Sequence, residues 1–92
     1  MTVQEITPEM AKHLGLSEKG RVIITQVREG SPADDAGLEI QDIILQVNKV
    51  NISSLKDFLN EIKKAPQEAT LLLLIKRGEM NFFVTVKKES PK

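Results

Sequence analysis

Gly30-Ser31-Pro32-Ala33-Asp34-Asp35-Ala36-Gly37-Leu38, followed by Asp42-Ile43-Ile44-Leu45-Gln46-Val47-Asn48, decides the fold. Its first half reads as a short helix with both ends marked. Ser31 is an N-cap, its hydroxyl oxygen accepting from a free backbone N–H of the first turn. Pro32 suits the first helical position, where no N–H is needed and φ is preset. Asp34 and Asp35 place negative charge at the positive end of the helix dipole. Gly37 falls where a left-handed residue ends a helix. Leu38 returns to the core, and Asp42 leads an apolar strand.

Outward from this stretch, the chain punctuates itself. Residues 21–27 are mostly apolar and β-branched, which predicts a strand buried on both faces. Before them, residues 2–6 form a short strand candidate. Thr7 and Pro8 start a helix that Gly15 stops, with Met10, Ala11 and Leu14 as its apolar stripe. Residues 16–20 are a polar connection. After the 42–48 strand, Asn48 and Lys49 make a turn into a short return segment at 50–52. Ser53 or Ser54 caps the longest helix; with Ser54 as the cap, Asp57 three residues on gives an acidic variant of the capping box. Leu55, Phe58, Leu59 and Ile62 recur at i, i+3, i+4 and i+7, an amphipathic face. Pro66 ends the helix. Residues 69–76 and 81–87 form a hairpin around Arg77-Gly78-Glu79, with Phe82, Val84 and Val86 on one face. The polar residues 89–92 read as a disordered tail behind a single domain at 1–88.

The 92 residues suffice for one small domain. With 40% apolar and 28% charged residues, the composition is that of an ordinary globular chain. Thirteen basic and thirteen acidic residues cancel, which argues against nucleic acid as a partner. There is no cysteine, so disulfide, thiol and cysteine-metal chemistry are absent. No apolar run approaches the ~18 residues of a spanning helix, so no membrane insertion is expected. The chain reads as a domain cut from a longer protein, with targeting segments outside it.

Catalytic constellations are missing too. A serine protease triad needs a histidine base beside a nucleophile. The single histidine, His13, lies in a short helix with no nucleophile turn nearby. Asp34 and Asp35 are explained by helix charge, and adjacent helical residues do not face each other as an acid–base pair would. No phosphate loop, dinucleotide fingerprint or zinc spacing occurs, so no catalytic residue, metal or cofactor is assigned. Binding by backbone remains. A sheet edge beside an apolar helix accepts an extended peptide as an added strand.

The pattern G-S-P-A-x-x-A-G-L-x-x-x-D-I-I-L-x-V-N resembles the signature of bacterial PDZ domains. With T-V-Q-E-I-T-P-E-M-A and V-I-I-T-Q-V, it is most similar to those of the HtrA/Do-like (DegP/DegQ) serine proteases. The resemblance implies a mainly β fold with helices (α+β). It is a PDZ-like, partly open β-sandwich or barrel of the circularly permuted bacterial type, capped by one long and two short helices. It implies a peptide groove with Met1, Thr2, Val3, Gln4 and Glu5 as receiving edge and Leu55, Leu59 and Ile62 as opposite wall. Phe58 shares that helix face. Met1 takes the last apolar position of the family's carboxylate-binding loop. Gln41 replaces a glycine the family often has before its aspartate. A left-handed turn there costs glutamine roughly 1 kcal/mol relative to glycine. The implied parent is a periplasmic serine endoprotease, with this domain as its substrate-recruiting or regulatory module and its protease domain as a further partner. The implied ligands are unfolded-protein C-termini with apolar side chains, since Leu55 offers no acceptor for a hydroxyl. The alternative parents are a C-terminal processing protease, an intramembrane metalloprotease or a secretion component.

Overall fold

A computed structural model describes residues 1–15, 21–66 and 69–88. The connection at 16–20 and the tail at 89–92 lie outside the described residues. The order of elements is β1 (Thr2–Glu5), α1 (Pro8–Leu14), β2 (Val22–Gln26), α2 (Pro32–Asp35), β3 (Ile43–Val47), β4 (Val50–Asn51), α3 (Leu55–Lys64), β5 (Thr70–Arg77) and β6 (Met80–Lys87). The strands form one six-stranded sheet in the order β1-β2-β3-β5-β6, with β4 paired to β3. All pairings are antiparallel. The sheet curls into the open β-sandwich that the sequence signature implied.

The caps form as the local sequence dictates. The Met10 N–H donates to Thr7 Oγ1 at 3.0 Å, and the Asp34 N–H to Ser31 Oγ at 3.3 Å. Gly15 and Gly37 adopt φ of 69° and 86°, the left-handed conformation that a side chain disfavours. The capping box of α3 is shifted. Asp57 N–H donates to Ser54 Oγ at 3.1 Å, but the Asp57 carboxylate accepts from the hydroxyl and N–H of Ser53. The Ser53 hydroxyl bond, then its N–H, hold the Asp57 carboxyl below the usual carboxylate range.

Two apolar clusters fill the faces of the sheet. The larger joins Val22, Ile24, Ile44, Val47, Leu71, Leu73, Ile75 and Val86 with Ala33 of α2, Leu38, Ile52 and Phe58 of α3. The smaller joins Ile23, Ile43 and Leu45 on the opposite face with Ile6 and with Ala11 of α1. Val22, Ile23 and Ile24 are therefore all buried, as a strand covered on both faces requires. Ile44 and Val47 stand three apart, yet both reach the larger cluster. An irregularity in the β3–β5 pairing between Ile44 and Gln46 shifts the alternation by one residue. Leu14, expected in the α1 stripe, is 41% exposed at the helix end.

The turn into β3 is pinned from a distance. Asp42 is 1% exposed, and its carboxylate accepts from the Glu39 N–H at 2.9 Å and from Arg77 Nε and Nη2 at 2.8 Å each. Arg77 also donates to the Gly37 carbonyl at 2.9 Å and lies 4.9 Å from the Phe82 ring centre. The hydrogen bond to Asp42 raises the Arg77 pKa. Beside this pin, Gln41 has φ of 77°, so the left-handed turn does carry a non-glycine residue. Gln41→Gly is expected to raise stability by about 0.5–1 kcal/mol, strain relief outweighing added freedom of the unfolded chain. Urea unfolding measures this, and an unchanged or lowered midpoint overturns it.

Candidate functional site: a groove between β1 and α3

Strand β1 ends the sheet, and its outer edge pairs with no strand among the described residues. An open edge leaves backbone donors and acceptors for an incoming strand. The pairing with β2 carries an irregularity between Thr2 and Val3, where the Thr25 hydroxyl donates to the Thr2 carbonyl at 3.3 Å.

Alternation along β1 sorts its side chains. Met1 and Val3 are half-buried and pack against the larger core cluster. Thr2 and Gln4 are exposed. Met1 and Val3 face Phe58 and Ile62 of α3 across a groove of about 150 Å³, floored by Leu71 and Val86 and bounded by Lys87 and Lys88. At the other end, the Leu55 N–H donates to Glu5 Oε1 at 2.8 Å. Strand β1 thus runs antiparallel to α3, with Met1 near Ile62 and Glu5 at Leu55.

The structure brings Met1, Val3 and Ile62 together in this groove. Thr2 and Gln4 lie on its strand edge, and Glu5 closes the far end. Leu55 is half-buried against the core cluster. Leu59, on the same helix stripe, is 53% exposed and lies outside the groove lining. Phe58 is 5% exposed and belongs both to the core and to the groove wall. Sequence reasoning missed Leu71, Val86, Lys87 and Lys88 as lining residues. Alternation in β5 and β6 marks Leu71 and Val86 as inward-facing, but only the sheet order brings that face under α3.

A wider hollow of about 620 Å³ lies among Glu39, Ile40, Asp42, Lys76 and Arg77. The charges of Glu39, Asp42 and Arg77 there are engaged with one another. Among the described residues, no three His, Cys, Asp or Glu side chains gather as a metal site would require. No helix among them is long and apolar enough to cross a membrane. His13 is exposed on α1.

An antiparallel sheet whose β1 edge faces an apolar helix across a narrow groove defines a small α+β domain. Residues 23–77 match the PDZ domain family, and the chain belongs to it. The chain is 38% identical over 88 residues to a probable periplasmic serine endoprotease, DegP-like, of Chlamydia muridarum, covering 95% of this chain and 18% of that protein. It is 35% identical over 88 residues to the protein of that name in Chlamydia trachomatis, with the same coverage. The chain thus spans about 18% of the length of these relatives. Among solved structures, it is similar to the HtrA-type protease AlgW with decapeptide. The TM-score is 0.81 at 25% identity, over 97% of this chain and 28% of that one. The HtrA3 PDZ domain bound to a phage-derived ligand, FGRWV, shares the fold. There the TM-score is 0.83 at 22% identity, over 97% of this chain and 82% of that one.

Proposed function

We propose that this PDZ domain captures extended peptides with apolar C-terminal residues by strand addition along Thr2–Glu5. The open β1 edge beside the Val3–Phe58–Ile62 groove carries this reading. Main-chain hydrogen bonds to β1 supply affinity, and the groove selects the side chains. Its lining of Met1, Val3, Phe58, Ile62, Leu71 and Val86 suits Val, Leu, Ile or Phe. Unfolded-protein C-termini carry such segments. The parent is an HtrA/Do-like serine endoprotease of the periplasm, which the domain serves by recruiting substrate or regulating the protease domain. The names of the relatives support that parent over a C-terminal processing protease, an intramembrane metalloprotease or a secretion component.

Amide-shift mapping during titration with a peptide ending in apolar residues tests the site. Shifts are expected at Thr2–Glu5 and along Leu55–Ile62. Shifts confined to residues away from both overturn the reading.

A further inference from the structure

The charges around the groove are not evenly placed. At the Met1 end stand Lys63 and Lys64 in the last turn of α3, with Glu61 paired to Lys64 at 3.2 Å, and Lys87 and Lys88 at the end of β6, which leaves this end with a basic excess. Lys88 Nζ donates to the Ala65 carbonyl at 2.7 Å, which fixes its ammonium beside the helix end. At the other end stand the carboxylates of Glu5 and Asp57, with Lys56 adjacent to Asp57 on α3. Asp57 is held by bonds from the hydroxyl and N–H of Ser53. Glu5 uses Oε1 to accept from the Leu55 N–H and is an exposed residue. The side chains thus make one end of the groove basic and the other acidic.

Resting on the peptide-binding reading above, we propose that Glu5 makes the groove select a basic residue in the bound peptide. That residue stands two positions upstream of the side chain that faces Val3. The register follows from β geometry. Val3 and Glu5 are two residues apart on one face of β1, so a strand paired with β1 presents side chains to them at the same spacing. The basic end draws the terminal carboxylate toward Met1, and the upstream residue then passes Glu5. A lysine or arginine there meets the carboxylate, whereas a glutamate meets a like charge. Glu5 is a selectivity residue in this scheme, and its bond to Leu55 holds it at the mouth.

Three peptides identical except for Lys, Ala or Glu at that position test this, by fluorescence anisotropy at low and at physiological salt. The protein should bind the Lys peptide about 10-fold tighter than the Glu peptide at low salt, with Ala between them. Added salt should shrink that ratio. In Glu5→Gln, whose side-chain oxygen can still accept from the Leu55 N–H, the ratio should fall to within about 2-fold. The ratio is read within each protein, so a general change in affinity cancels. Equal binding by the unaltered protein, or an undiminished ratio in the variant, overturns the selectivity of Glu5. Failure of all three peptides to bind overturns instead the peptide-binding reading on which it rests.

Discussion

Asp42→Ala is expected to lower the unfolding free energy by about 3 kcal/mol, a large fraction of what a domain of this size possesses. Three N–H donors converge on this carboxylate, from Glu39 and from Nε and Nη2 of Arg77. Asp42 is 1% exposed, so its carboxylate is satisfied by these donors rather than by bulk water. Removing one member of a buried pair leaves its partner charge uncompensated, which costs about 3–5 kcal/mol. The Arg77 side chain is 33% exposed and keeps Glu39 Oε2 at 3.3 Å, so solvent and Glu39 recover part of that loss. The low end of the range is therefore expected. Asp42→Asn keeps an acceptor for the Glu39 N–H but loses the charge, and should cost about half as much. Urea unfolding of both variants measures the difference, with an unchanged m-value marking a change in stability alone. A loss below about 1 kcal/mol for alanine would mean that Glu39, the Gly37 carbonyl and the Phe82 ring hold Arg77 and the turn without the carboxylate.

This pin was not legible in the sequence, and the reason is physical. Asp42 and Arg77 stand 35 residues apart, and only the β3–β5 register brings them together. Glu5 and Leu55 stand 50 apart and meet for the same kind of reason. Caps, by contrast, are satisfied within four residues. Thr7 and Ser31 could therefore be read directly, and the cap of α3 to within Ser53 or Ser54; Thr7, Ser31 and Ser54 accept the capping bonds. The strand at β2 was legible because an apolar β-branched run has one stable place, the middle of a covered sheet. Periodicity was less informative about the groove. Leu55, Phe58, Leu59 and Ile62 form one stripe, but α3 meets the sheet over a narrower arc than the stripe spans. Phe58 is enclosed, Leu55 and Ile62 are half-buried, and Leu59 is largely exposed. The Glu5 side chain gave no local signal, since an acid at a strand end reads as a solvated residue until the helix terminus above it is known.

That narrow arc makes Ile62 and Leu59 unequal, and Ile62→Asp should weaken the binding of an apolar C-terminal peptide by about 30-fold. Ile62 lines the groove with Met1, Val3 and Phe58. Losing one aliphatic contact and placing a carboxylate against an apolar ligand costs about 2 kcal/mol of binding, which is about 30-fold in affinity. The fold should survive, because Ile62 is half-buried and the new carboxylate can turn toward water and toward Lys63 or Lys88. Leu59→Asp places the same charge one helical turn away, outside the groove lining, and should cost about 3-fold. Thermal unfolding of each variant separates lost binding from lost structure. Ile62→Ser, a smaller perturbation without charge, gives a second reading if Ile62→Asp proves too unstable. Equal losses at positions 59 and 62, with both variants folded, would move the bound peptide to the outer face of α3. They would also detach it from the β1 edge, since Leu59 does not face Val3 across the groove.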